Sequence, residues 1–290
     1  MASSVKLTYE LLAEIAKLSK RKRKIVLTEL YASEWDHCAD DLIYWLDKSQ
    51  HAVPYVYTWD PHELYVCNMC NDDQLTQTRY KLYHHLDIRH GLDLDNEKAI
   101  RQYFRALPHI RPFTIKEYML PIIKQAQASQ LFAVEKSRDM MMTWLMVAMI
   151  SWEVFFHSGK QWAVQSRDGK TTLDIMENRV KFIHDNMPPW MRNRHPISWS
   201  RSQTKAGYLR IPSLNSEIVG FAAGPDQIRY LHPSGVFVDE GAFQEQAGAL
   251  FSAVKPAIEE GGKYWSISTP YPSFFQLICE DRTEEEGART

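Results

Sequence analysis

Residues 140–156 read MMMTWLMVAMISWEVFF, so a helix over them has no hydrophilic side to turn towards water. The stretch carries Glu153 and falls short of the ~20 apolar residues that a membrane span requires, so burial inside a layered domain is expected and no membrane partner. Around it, short apolar runs alternate with amphipathic stretches. LFAV (131–134) precedes the helix; WAVQS (162–166), a helical TLDIMENRVKFIHDNM (172–187), YLRIP (208–212) and EIVGFAA (217–223) follow it. GVFVDE (235–240), a helix near 245–258 and KYWSIST (263–269) complete the series. Strands alternating with helices predict an α/β fold with a mostly parallel central sheet flanked by helices.

Upstream, residues 7–48 show helical spacing through Leu11, Leu12, Ile15 and Leu18, interrupted by the basic run Lys20-Arg21-Lys22-Arg23-Lys24. That run is either a solvated helix face or a contact for DNA phosphate or an acidic partner. The net charge of -2 over 290 residues means that any basic surface is local. Four scattered cysteines and an N-terminus without the apolar core of a leader peptide argue against a secreted disulfide framework and for a reducing compartment.

The chemistry concentrates at strand ends. In Gly235-Val236-Phe237-Val238-Asp239-Glu240 a run of large apolar residues specifies a strand buried on both faces, and two carboxylates end it. Open parallel sheets bind ligands at that edge. In P-loop ATPases the first such acid holds Mg²⁺ and the second polarises the attacking water, which suits Asp239 and Glu240. After LFAV comes Lys136-Ser137-Arg138-Asp139-Met140-Met141-Met142-Thr143 and then the buried helix, a strand–loop–helix unit of the kind that cradles ATP phosphates. Lys136 or Arg138 is expected to neutralise the phosphate oxygens, Arg138 being also the candidate for stabilising transition-state charge, and Thr143 to offer its hydroxyl to Mg²⁺. No glycine occurs between Leu131 and Ser158, and Met142 stands where the usual lysine would. Asp168-Gly169-Lys170-Thr171-Thr172 looks more like a phosphate loop but lacks its first glycine, and is expected only to open the next helix. Ser268-Thr269-Pro270, ending another apolar strand, is expected to couple hydrolysis to movement, or else to be a common turn.

A separate cluster is Cys67-x₂-Cys70, followed by His85 and His90. The spacing is close to that of zinc fingers and predicts a Zn²⁺ site.

The order of these motifs resembles the large terminase subunits of tailed bacteriophages, the ATP-driven motors that package viral DNA. The resemblance is carried by Lys136-Ser137-Arg138 to Thr143, by the segment Val164 to Pro188, by Val236 to Glu240 and by Ser268-Thr269-Pro270, over about residues 108–280. Arg229 falls where that family tends to place an arginine. The resemblance implies a P-loop ATPase whose acidic strand lies beside the phosphate-loop strand, with ATP and Mg²⁺ as cofactors. It further implies double-stranded DNA, the portal protein of the procapsid and a small terminase subunit as partners, assembly as a homo-oligomeric ring, and a place in the host cytoplasm, transiently docked on the procapsid. The nuclease domain normal in that family is not expected in these residues, since the stretch after Pro270 is too short for one. The expected organisation is a helical region over 1–60, a zinc-finger-like insertion over 61–92, the ATPase domain over 93–280 and a polar tail over 281–290. Two other readings stay open on the residues alone: a helicase-like translocase, and a DNA-binding or structural protein with a decayed nucleotide site.

Overall fold

The structure, a computed structural model, describes residues 8–47, 50–51, 54–59, 65–66, 76–77, 110–138, 140–201, 205–222, 224, 228, 231 and 233–280. The chain opens with helices α1 (Tyr9–Ala16), α2 (Lys20–Asp40) and α3 (Leu42–Leu46). The break between α1 and α2 falls at residues 17–19, so the basic run does not interrupt a helix, as its charge density suggested, but begins one. Arg23 explains how: its guanidinium donates to the carbonyls of Ala16 and Leu18, closing the C-terminal end of α1.

Strand β1 (Tyr57–Trp59) pairs antiparallel with β4 (Ile110–Pro112), and β2 (Tyr65–Val66) with β3 (Thr76–Gln77). Helix α4 (Met119–Ala128) leads into β5 (Leu131–Glu135) and the apolar helix α5 (Met142–Phe156). Next come β6 (Gln161–Gln165), α6 (Gly169–Ile175), a π-helical turn (Met176–Lys181) and α7 (Phe182–Asn186), then α8 (Pro189–Arg192), β7 (Ser198–Ser200), β8 (Lys205–Ile211) and β9 (Ser216–Phe221). The chain continues through β10 (Gly235–Asp239), a short 3₁₀ turn (Gly241–Phe243), α9 (Ala247–Glu259), β11 (Lys263–Ser268) and α10 (Phe274–Cys279). The helix read over 172–187 is thus interrupted. Met176 is pressed against β8 and β9, and a Cβ on Gly207 or Gly220 would come within 2.7 or 2.6 Å of its side chain.

The seven-stranded sheet has the order β5-β11-β10-β6-β9-β8-β7. The pairs from β5 to β9 are parallel and those from β9 to β7 antiparallel, so the expected mostly parallel α/β sheet is present. One expectation is corrected: the acidic strand β10 does not lie beside β5, because β11 runs between them and pairs with both. Adjacency is set by how the crossover helices pack, which periodicity along the chain does not encode.

Within α5 every residue but Thr143 and Trp152 is buried. The sheet covers one side; on the other, the Trp35 and Trp45 rings lie 4.5 and 5.4 Å from that of Phe156, and Trp152 Nε1 donates to the Cys38 carbonyl. Among the described residues no helix is long and apolar enough to cross a membrane. The helix's one charge, Glu153, accepts from Trp162 Nε1 at 3.0 Å and from Lys263 Nζ at 2.7 Å, tying α5 to β6 and β11. Truncating one partner of a buried pair strands the other charge. Lys263→Ala is therefore expected to cost on the order of 2 kcal/mol in urea unfolding, less than for a fully buried pair, since the lysine side chain keeps 23% of its exposure. An unchanged unfolding midpoint would show that Glu153 is satisfied without it.

Candidate functional site

The parallel strands β5, β6, β10 and β11 end on one edge of the sheet, and the predicted residues follow these ends. Lys136, leaving β5, donates its backbone N–H to the Ser268 carbonyl at the end of β11, 2.9 Å away. The Tyr118 hydroxyl, from the turn before α4, donates to the Met140 carbonyl at 2.7 Å and holds the far side of the loop. Met141 then takes a left-handed conformation, φ 51°, and α5 begins without a side-chain cap. In the first turn Thr143 donates its hydroxyl to Asp239 Oδ1 at 3.2 Å, joining the start of the buried helix to the end of the acidic strand.

Strain collects here. Among the described residues the non-glycines with positive φ are Met141, Asn215 and Glu240. Asn215 sits in the β8–β9 turn, where asparagine tolerates that geometry; the other two sit at the ends of the loop and of the acidic strand. Each costs about 1–2 kcal/mol relative to an ordinary conformation. Beyond Glu240 the chain turns so closely under β11 that a Cβ on Gly241 would collide with Ser266 Oγ.

Asp239 is 6% exposed. Burial pushes its carboxyl up to about 6; the nearby Arg179 and Lys136 cations and the Thr143 hydroxyl draw it down, and Glu240 pushes it up. Glu240 is half-buried, with Arg167 Nε 3.8 Å from its Oε2, while the same nitrogen lies 3.3 Å from Asp168. Ser268 is buried and bonded twice: its carbonyl to the loop, its Oγ accepting from Ala242 N at 3.2 Å.

Lys136, Thr143, Asp239, Glu240 and Ser268 thus converge. Ser137 and Arg138 are exposed on the loop, Met140 is half-buried, Met141 and Met142 are buried, and Thr269 and Pro270 lie at the rim. Asp139, Arg229, Cys67, Cys70, His85 and His90 lie outside the described residues. Asp168 caps α6 by accepting from Thr171 N at 2.7 Å, so that helix start is closed by the chain's own carboxylate, in contrast to α5. Arg167 and Arg179 lie in the segment Val164 to Pro188 that carries the resemblance but, like Tyr118, have no role assigned from the sequence. Arg167 stood next to a strand end and was findable; no spacing rule reaches the other two.

An uncapped helix N-terminus attracts anions, and a carboxylate beside a hydroxyl suits a hard cation. Among the described residues no three His, Cys, Asp or Glu cluster as a metal cage. Mg²⁺ needs none, since it is usually held by one or two carboxylates and the substrate's phosphates.

No known family's sequence profile and no curated protein matches the chain. Solved structures do. The large terminase of bacteriophage HK97 is similar over 61% of this chain and 38% of its own, with 12% identity and a TM-score of 0.50. An ATPase-domain variant of the Thermus phage P74-26 large terminase is similar over 56% and 68%, with 16% identity and a TM-score of 0.44. The large terminase of another thermophilic bacteriophage, in complex with ADP, is similar over 59% and 44%, with 13% identity and a TM-score of 0.41. The likeness to the HK97 protein establishes a shared fold, and this chain spans well under half of that protein's length.

A carboxyl raised by burial weighs against the folded state in full above about pH 6, and the penalty fades as pH falls from there towards the ordinary carboxylate value of the unfolded chain, about 3.8. Asp239→Asn is therefore expected to stabilise the nucleotide-free protein near pH 8 by on the order of 2 kcal/mol, with the gain shrinking towards pH 5. Thermal unfolding across that range checks it; a variant less stable than wild type at pH 8 would refute it.

Proposed function

We propose that this chain is an ATP-hydrolysing motor that translocates double-stranded viral DNA into a procapsid, a large-terminase ATPase with its P-loop domain over about 93–280. The observation that carries the reading is the Thr143–Asp239 hydrogen bond at an uncapped helix start preceded by a left-handed residue. Those parts give a phosphate loop its function, and here they occur without its glycines. The fold shared with the HK97 large terminase supports the same reading.

In this reading Lys136, Ser137, Arg138, Asp139, Met140, Met141, Met142 and Thr143 form the nucleotide loop. Lys136, at the start of the loop, takes over the charge that Met142 cannot supply. Asp239 and the Thr143 hydroxyl would hold Mg²⁺, which neutralises β- and γ-phosphate charge when bound. Glu240 accepts the proton of the attacking water, and Arg138 stabilises the charge on the transferring phosphoryl group. Ser268, bonded to both the loop and the segment after Glu240, begins the coupling motif with Thr269 and Pro270. Partners would be DNA, the portal, a small terminase subunit and further copies in a ring, in the host cytoplasm and docked on the procapsid. The glycine-free loop favours one second reading, a DNA-binding or structural protein whose nucleotide site has decayed, which saturable binding of labelled ATP would exclude.

Glu240→Gln is expected to keep Mg-ATP affinity within about twofold while hydrolysis falls by about 100-fold or more, the usual scale for a lost general base. Lys136→Ala should weaken nucleotide binding and Lys170→Ala should not. Wild-type turnover in Glu240→Gln would remove the assignment, and hydrolysis stimulated by DNA alone but not by procapsids would favour a helicase-like translocase.

The zinc site of Cys67, Cys70, His85 and His90 is proposed on spacing, supported by the antiparallel pairing of Tyr65–Val66 with Thr76–Gln77 on either side of Cys67 and Cys70. Elemental analysis of untagged protein is expected to find about one zinc per chain, lost in Cys67→Ser. Metal-free protein that folds normally would reduce the cluster to coincidence.

A further inference from the structure

Arg179 lies in the π-helical turn, outside the loop 136–143 and outside the strand ends at 239–240 and 268–270. Its Nη1 donates to Asp174 Oδ2 at 3.0 Å. On a regular helix a residue meets partners three or four positions away, not five. The π turn brings these two together and redirects the guanidinium. The turn itself is held by Met176, wedged against Gly207 and Gly220.

Arg179 Cζ stands 5.5 Å from the ring centroid of Trp144, a residue with 2% exposure. Trp144 follows Thr143, whose hydroxyl bonds Asp239. The guanidinium therefore lies beside the first turn of α5. Of the cations that act on Asp239, Arg179 comes ahead of Lys136. Its Nε is buried and has no hydrogen-bond partner among the described residues. Asp174, its ion-pair partner, is half exposed and engages one end of the fork only. A cation turned inward on a buried carboxylate, with a donor unspent, is unfinished as a structural ion pair.

We propose that Arg179 is a ligand of the terminal phosphate of a bound nucleoside triphosphate, contributed in cis from the π turn. This rests on the nucleotide-site reading above. Without nucleotide Arg179 serves as counter-charge to Asp239. With Mg-nucleoside triphosphate bound, Asp239 faces the metal and the guanidinium fork faces the γ-phosphate oxygens, a geometry that arginine serves better than lysine. The Trp144 contact and the Asp174 ion pair restrict the guanidinium beforehand, which lowers the side-chain entropy to be lost on binding.

The test compares Mg-AMP-PNP and Mg-ADP binding by calorimetry in wild type, Arg179→Ala, Arg179→Lys and Asp174→Ala, with the thermal midpoint of each. Arg179→Ala is expected to weaken AMP-PNP by about 10- to 100-fold, the range for a lost charge-assisted phosphate contact, and ADP by less than about threefold. Arg179→Lys should recover part of the loss, and Asp174→Ala should leave both affinities close to wild type. If Arg179→Ala does not fold, Arg179→Lys carries the test: it must weaken AMP-PNP more than ADP. Equal losses for both nucleotides, or the same loss in Asp174→Ala, would make Arg179 a structural residue and overturn the proposal. Wild-type protein that binds neither nucleotide would overturn the site reading and this proposal together, whereas normal AMP-PNP binding by Arg179→Ala would remove only the latter.

Discussion

The structure depends on one constraint: α5 has no side that water can occupy. A helix of that kind has to be enclosed, and each neighbour supplies part of the enclosure. The sheet covers one side, while Trp35, Cys38 and Trp45 from the first helices close another and join the same core. The single carboxylate in this environment, Glu153, is matched by a lysine and an indole from two different strands. Satisfying it pins the helix along its length as well as across it. Helices α2 and α3 therefore belong to the core that positions α5, whereas Ile15 of α1 packs with Leu30 in a separate cluster.

Enclosing α5 also decides where its N-terminus emerges. The helix starts at the edge where the parallel strands end, so Thr143 reaches Asp239 although β11 separates their strands. Asp239 is then buried in a place where a carboxylate is costly, among cations that only partly offset the cost. Two neighbouring backbone positions are held in conformations that methionine and glutamate do not prefer. Strain and an under-compensated charge thus collect at one edge of an otherwise well-packed sheet, which supports the proposed reading of that edge as a ligand site.

Some of this was legible in the chain. The three apolar residues before Asp239 required a doubly buried strand, and the carboxylates could only fall at its end. The start of the apolar run located Thr143 at the opening of a helix. Other parts were illegible for identifiable reasons. With no glycine in the loop, nothing in the sequence marked Met141 as left-handed; it lies in a loop tied by Lys136 to Ser268 and by Met140 to Tyr118, contacts remote along the chain. The order β5-β11-β10 escaped because periodicity describes each strand alone. Arg179 escaped because α-helical spacing was assumed through 172–187, and the π turn changes which residues share a face.

By itself the sequence determined the element types, the alternation that makes the sheet mostly parallel, and the two carboxylates at a strand end. These follow from local apolar patterns, because burial of a strand or a helix is written in its own residues. Only the tertiary structure decided which strands are neighbours, which backbone positions are strained and which cations face Asp239. Those are contacts between segments remote along the chain: Thr143 meets Asp239 across 96 positions and Lys263 meets Glu153 across 110, and no local pattern carries such a pairing.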